Sequence, residues 1–216
     1  QREFDEFVAL LRANGVNVIV VEDIKENDTP DALFPNNWIS MHEEGKVGLY
    51  PMFAENRRRE RREDILDVLE ENGFEISEVI DYSSAEEEEV FLEGTGSLIL
   101  DRENGIAYCA LSDRADEELL IEFCEDFEYT PIIFGAYQSA DNKRLPIYHT
   151  NVMMCVADQF AVICLDSIDD KKERKAVKEQ LKSNGKTIIA WAVRASNTIL
   201  PLAAPGLAAT AAAKIS

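Results

Sequence analysis

The chain has 216 residues, 30% of them charged, and its 42 acidic against 22 basic side chains leave a formal net charge of −20. Such a surface repels nucleic-acid phosphates and anionic lipid, which argues against both as partners. The length suffices for a sizeable core, and no run of roughly eighteen consecutive apolar residues offers a membrane-spanning helix.

From the amino terminus, Phe4, Phe7, Val8, Leu10 and Leu11 share one face of a predicted helix. It ends at Asn14-Gly15 and leads into the apolar run 16–21. Gln1 already lies inside the helical pattern, so an amino terminus further upstream is expected. Two apolar runs follow, Trp38-Ile39-Ser40-Met41 and Val47-Gly48-Leu49-Tyr50, joined by a polar turn. The basic run 57–62 reads as the exposed start of a helix. A phosphate patch is the weaker alternative, because acids follow at once. Ile65, Leu66, Val68 and Leu69 form the next apolar face, closed by Asn72-Gly73 and followed by Phe74-Glu75-Ile76. Glu86 to Glu89 read as a solvated loop. Ser97-Leu98-Ile99-Leu100 and Ile106-Ala107-Tyr108-Cys109 flank Asp101-Arg102-Glu103-Asn104-Gly105, a hairpin turn by composition. Leu119, Leu120, Phe123 and Phe127 make a third helix, leading to the strand at 130–134. The last repeat pairs Val152-Met153-Met154-Cys155 with Ala161-Val162-Ile163-Cys164. Its helix carries Ala176, Val177 and Leu181, and Asn184-Gly185 precedes Lys186-Thr187-Ile188-Ile189.

The Asn-Gly pairs at 14, 72 and 184 are spaced by 58 and by 112 residues, the second being twice 56. The missing copy falls near residue 128, where Glu128-Tyr129-Thr130 opens the equivalent strand. Glycine after a last helical turn supplies the left-handed cap in three of the four. The unit is therefore strand, strand, helix, strand over about 56 residues. Three units are complete, and a fourth is expected to contribute its helix and last strand at the amino terminus. Units that bury one face only against their neighbours form a ring or a stack, which makes residues 1–190 one α/β domain. From Trp191 to Ser216 only Arg194 and Lys214 are charged. This tail continues no unit, reads as a linker or an out-of-frame segment, and is left unassigned.

The four cysteines, Cys109, Cys124, Cys155 and Cys164, sit in apolar runs without a metal-ligand or secreted-framework spacing. They are expected to be core thiols of a reduced, cytoplasmic protein with no metal and no cofactor. Histidine occurs only at 42 and 149. Phe91-Leu92-Glu93-Gly94-Thr95-Gly96 and Tyr148-His149-Thr150-Asn151-Val152 open successive units. In a closed ring Glu93 and His149 reach one place, as a general acid/base pair would. The plainer alternatives are a structural histidine and a strand-initial acid closing a turn. Asn36 and Asn37 after Pro35 also suit an ordinary turn, and Arg114 also suits the neutralisation of acids at a helix start.

The ordered set Asp31-Ala32-Leu33-Phe34-Pro35-Asn36-Asn37-Trp38, Glu93-Gly94-Thr95-Gly96 and His149-Thr150-Asn151 resembles the guanidine-modifying, or pentein, superfamily. The resemblance covers roughly residues 1–190. Its nearest look is to amidinotransferase-related citrulline hydrolases. It implies a five-bladed α/β propeller of which about three and a half blades are recognisable here. It implies also a cysteine nucleophile attacking a guanidino or ureido carbon. By motif, His149 matches the general acid/base and Glu93 its paired acid. Asp31, Asn36, Asn37 and Asn151 match substrate contacts, and Arg114 matches the group holding the substrate carboxylate.

Two departures refine this. Where arginine deiminases carry acids, Asn37 and Asn151 are amides, which suit a neutral ureido group better than a cationic guanidinium. Succinylarginine dihydrolases, which take a guanidino substrate, are also partly amide-lined. The nucleophile of such enzymes comes in the last unit, where none of the four cysteines stands. The chain is thus expected to be a fragment, or an inactive relative, without turnover of its own. The expected function is hydrolysis of a small ureido or guanidino amino acid, citrulline first. An arginine-type hydrolase, an amidinotransferase and a silent binding propeller stand as alternatives, and oligomeric state stays open.

Overall fold

The computed structural model describes residues 1–140 and 143–191. Apart from Trp191, the tail singled out above lies outside the described residues. The opening helix α1 (Arg2–Ala13) ends in a double cap: Gly15 N–H bonds the Arg12 carbonyl and Val16 N–H the Leu11 carbonyl. Gly15 takes φ +82°, the left-handed conformation this motif demands. The expected strand at 16–21 does not form; among the described residues no strand pairs with it. A third strand in this architecture pairs with the second strand of its own unit, and the described residues contain no hairpin for this one. The α1 face is uncovered for the same reason: Val8 is buried, while Phe4, Phe7 and Leu10 are exposed.

Three ββαβ units follow. The first comprises β1 (Ile39–Met41), β2 (Lys46–Leu49), the short helix α2 (Glu55–Arg58), α3 (Asp64–Glu71) and β3 (Glu78–Asp81). The second opens with one helical turn, α4 (Gly94–Ser97), then β4 (Leu98–Asp101), β5 (Ile106–Leu111), α5 (Glu117–Asp126) and β6 (Thr130–Gly135). A hairpin, β7 (Tyr137–Ala140) and β8 (Lys143–Pro146), precedes the third unit and was not signalled by the sequence, since β8 is exposed throughout. The third unit is β9 (Met154–Val156), β10 (Phe160–Ile163), α6 (Lys171–Ser183) and β11 (Thr187–Ala190). In each, the hairpin strands pair antiparallel and the strand after the helix returns parallel to the second of them. The cap of α1 recurs after α3 and α6, with Gly73 and Gly185 left-handed. After α5 the same place is held by Glu128 at φ +58°, one residue before the position that the 56-residue period assigns to the glycine.

The units are joined through strands buried on both faces. In β5, Ala107 and Cys109 face the cluster of Leu119, Leu120 and Phe123 from α5. Ile106, Tyr108 and Ala110 face the third unit's Met153, Ile163, Val177 and Leu181. Of the four cysteines three are buried as expected, but Cys155 is exposed, because it alternates outward on β9.

The basic run is not a free patch. Arg57 makes a bidentate pair with Glu60, and its Nη2 also reaches the Asp31 and Phe34 carbonyls. Arg58 and Arg61 pair with Glu86, Arg62 with Asp64 and the Glu22 carbonyl, and Arg59 with Asp28. Glu86 is therefore a partly buried anchor rather than part of a solvated loop. Arg57, Arg59 and Arg62 fasten residues 22–34 to the first unit, while Arg58 and Arg61 hold Glu86. Arg57 and Glu60 are both buried, so removing one partner strands the other's charge. Glu60→Ala is expected to lower stability by about 3–5 kcal/mol, read as a reduced urea midpoint.

Candidate active site

A short helical turn stands before the first strand of every complete unit: residues Pro35–Asn37, Gly94–Ser97 and Thr150–Val152. The motif residues ride on these turns rather than on the strands themselves. Gly94 at φ +40° lets the second turn lie against the first, for a Cβ there would sit 2.5 Å from the Asn36 carbonyl. Thr95 Oγ1 donates to that same carbonyl at 3.3 Å. A Cβ on Gly96 would stand 2.7 Å from Asn37 Oδ1 and 3.1 Å from His149 Nδ1. The bare glycine thus brings the Asn37 amide and the His149 ring to one spot.

Glu93 stands at the N-terminal end of the second turn, its side chain turned to other partners, and is 0% exposed. Its Oε2 accepts from His149 Nε2 at 2.5 Å and from Arg114 Nη1 at 3.3 Å, and its Oε1 accepts from Phe53 N–H at 3.0 Å. Burial pushes its carboxyl up. The His149 hydrogen bond, the Arg114 and His149 charges and the Phe53 amide outweigh that and hold it below the usual carboxylate range. Ionised Glu93 accepts from Nε2–H, which leaves His149 Nδ1, beside Asn37 and Gly96, as the nitrogen free to exchange a proton. His149 is 5% exposed, and both its neighbours are pinned to the second unit. Ser112 Oγ donates to the Tyr148 carbonyl at 2.8 Å, and Thr150 Oγ1 accepts from Ala110 N–H at 2.8 Å.

Asn37 is 5% exposed; its amide makes no hydrogen bond to the described residues and is not fully enclosed, the enclosed unpaired side-chain atoms among them being Tyr108 Oη and Asn184 Nδ2. Asn36 contributes its carbonyl to the turn contact. Asn151 is exposed and Asp31 is exposed, Asp31 being held through its backbone carbonyl by Arg57; neither contacts the Glu93–His149 pair. Arg114 does reach the cluster, but its partner in this structure is Glu93. The Arg114 guanidinium carbon lies 5.5 Å from the Phe53 ring centre and 5.3 Å from that of Tyr148. Phe53 had no signal in the sequence, since nothing in its spacing marks it.

The second histidine plays another part. His42 Nδ1 faces Arg102 Nη1 at 3.3 Å, and an arginine can only donate, so Nε2 carries the proton and donates to Ser40 Oγ at 2.6 Å. Burial, then the Arg102 and Lys46 charges, lower its pKa to about 3. It is a neutral core histidine joining the first two units. Burial raises Cys109 and Cys124 to about 12, far from a thiolate. No thiol of the described residues is hydrogen-bonded to Glu93 or His149. Among the described residues no group of three or more His, Cys, Asp or Glu side chains is placed to hold a metal ion, and no helix is long and apolar enough to cross a membrane.

The family described as N,N dimethylarginine dimethylhydrolase, eukaryotic, matches residues 1–199. No curated protein matches the chain by sequence. Among solved structures, the fold is similar to ArgZ, an arginine dihydrolase from the ornithine–ammonia cycle in cyanobacteria. The TM-score is 0.61 and the identity 14%, over 87% of this chain and 27% of that one. The N-terminal domain of ArgZ bound covalently to a reaction intermediate gives 0.54 at 16% identity, over 74% and 54%. Unliganded AgrE gives 0.62 at 15% identity, over 88% and 25%. The chain thus spans about a quarter of the two longer proteins.

Because the folded Glu93 carboxyl lies below its unfolded value, its ionised form adds stability above the unfolded pKa of about 4.3 and loses it as pH falls through the folded value. Glu93→Gln is therefore expected to cost on the order of 3 kcal/mol at pH 7. The gap to the parent protein should close as pH drops below about 4, in urea unfolding at stepped pH.

Proposed function

The chain belongs to the N,N dimethylarginine dimethylhydrolase family, within the guanidine-modifying superfamily, and from that premise we propose that it forms the Glu93–His149 part of a carbon–nitrogen hydrolase. Its substrate is a ureido or guanidino amino acid, citrulline first. The observation that carries the substrate reading is the Asn37 amide, which stands across Gly96 from His149 Nδ1 and makes no hydrogen bond to the described residues. An amide donates to a ureido oxygen and accepts from its NH₂. A carboxylate there would set lone pair against lone pair, at about 1–3 kcal/mol for a buried unsatisfied group. The charge of Glu93 is already met by Arg114, so a cationic head group finds no spare carboxylate beside Asn37.

In this reading His149 protonates the leaving amine through Nδ1 and then takes a proton from the attacking water, while Glu93 fixes the ring and its tautomer. Asn37 and Asn151 contact the head group, Asn36 shapes the turn beneath it, and Asp31 lies at the entrance. The donors of Arg114 not used by Glu93 bind the substrate carboxylate. The nucleophilic cysteine comes from outside the described residues, and the three ββαβ units are blades of a closed five-bladed ring. The free thiols fit a reducing cytoplasm. A second reading, hydrolysis of a methylated guanidino group, is favoured by the family match itself.

Two outcomes test this. Incubated with citrulline, arginine or N,N-dimethylarginine, the 216-residue chain is expected to release neither ammonia nor dimethylamine, since no thiol reaches the pair; robust turnover would place the chemistry on another group. In calorimetric titrations citrulline is expected to bind better than arginine, and the Asn37→Asp, Asn151→Asp double variant to shift that preference toward the cation by a factor of about ten to a thousand at an effective dielectric near 20. A variant with unaltered citrulline preference removes these amides from charge selection. Preference of the parent for dimethylarginine installs the second reading.

A further inference from the structure

Arg114 is a long side chain about a quarter exposed, and its guanidinium has one polar partner among the described residues, Glu93 Oε2 at 3.3 Å. A single hydrogen bond of that length does not fix a side chain with this much rotamer freedom. The position of Arg114 nonetheless matters, because its charge is one of those keeping the fully buried Glu93 ionised. Two rings supply what the hydrogen bond lacks. The guanidinium carbon lies over both the Phe53 and the Tyr148 ring, 5.5 and 5.3 Å from their centres, within the distance at which a cation is drawn to a ring face.

Both rings are themselves tied to the residues they serve. Phe53 donates its N–H to Glu93 Oε1 and packs edge-on against Phe91, two residues before Glu93, at 5.3 Å. Ser112 Oγ donates to the Tyr148 carbonyl and accepts the Arg114 N–H at 3.1 Å. Tyr148 also lies against the His149 ring, with centres 5.0 Å apart. One ring comes from the first unit, the other from the start of the third, and the arginine over both from the second. Phe53 is 43% and Tyr148 49% exposed, so a purely structural packing role accounts poorly for two large rings left at the surface.

We propose that Phe53 and Tyr148 are positioning residues of this site, an aromatic clamp that holds the Arg114 guanidinium against the Glu93 carboxylate. The clamp leaves the outer N–H donors of Arg114 facing the entrance, where an anionic end of a ligand meets a cation already oriented. It deepens the function proposed above and rests on it only in taking Glu93 and His149 as the acid–base pair.

With two histidines in the chain, the imidazole signals of nitrogen-15-labelled protein separate His149 from His42, and the acid limb of the His149 signal reports protonation of Glu93. Arg114→Met is expected to raise that acid midpoint by about one pH unit, the lower end of the effect of a neighbouring opposite charge. Tyr148→Leu and Phe53→Leu should each raise it by part of that amount, while Tyr148→Phe, which keeps the ring, should leave it in place. Added to Arg114→Met, the ring deletions should do nothing further, because the interaction they support is already gone. The His42 signal, in a separate core, shows whether each variant is folded. If Phe53→Leu does not fold, the Tyr148 pair of variants decides alone. An unmoved midpoint in Tyr148→Leu, or an equal shift with and without Arg114, overturns the clamp. The readout needs no turnover, so the clamp and the hydrolase reading can fail separately.

Discussion

A carboxylate with no solvent exposure has to be neutralised by the protein, and Glu93 is where that requirement organises the molecule. No single element supplies its partners. Phe53 comes from the first unit, Arg114 from the second and His149 from the turn opening the third. Three segments far apart in sequence must converge within hydrogen-bonding distance, or a buried charge is left unpaired. Convergence in turn depends on the missing side chains of Gly94 and Gly96, which let the helical turns of the three units touch. The Glu-Gly-x-Gly order is a packing constraint as much as a chemical motif.

Away from that point the units are stapled by polar pairs, each reaching from one unit into its neighbour. Tyr82 donates to Asp126 and Lys46 to the Asp126 carbonyl, from the first unit to the second. Arg102 returns to His42. Between the second and third units Lys186 pairs with Asp101 at 3.3 Å, both almost wholly buried, while Asn104 satisfies the remaining lone pairs of that carboxylate. Such pairs add little net stability against apolar replacements, but they penalise any other register of one unit on the next. The apolar clusters between the sheets supply the attraction and the polar pairs select the arrangement.

The two histidines show how environment divides one residue type between two roles. His42 faces a guanidinium and aromatic rings, so its neutral form is enforced. His149 faces a carboxylate on one nitrogen and the unpartnered Asn37 amide near the other. The same contrast separates the arginines. Those at 57–62 are consumed by the carboxylates of Glu60, Glu86 and Asp64 and by carbonyls such as that of Glu22, whereas Arg114 keeps most of its donors unspent beside the Glu93–His149 pair.

The sequence by itself determined the unit. The recurrence of Asn-Gly and the apolar faces before it specify the order strand, strand, helix, strand and three of the left-handed caps, because both are local consequences of backbone geometry and amphipathic spacing. The period located the fourth helix end near residue 128, and the structure put a non-glycine residue, Glu128, in its left-handed position. Glu93 and His149 stand out as polar residues that open apolar runs, whereas Asn37 and Arg114 could be named only through the resemblance of the motifs to the guanidine-modifying superfamily. Other features followed from contacts between distant segments and were decided only by the tertiary structure. The segment 16–21 has strand composition but no ladder, since pairing needs a partner strand that composition does not provide. The arginine run looked free until the structure brought Asp28, Glu60 and Glu86 to it. Phe53 carries no periodic or motif signal, because its importance lies in a backbone N–H and a ring face aimed at residues some 40 and 60 positions away. Local chemistry wrote the parts; which charge each part would meet was settled by how the units pack.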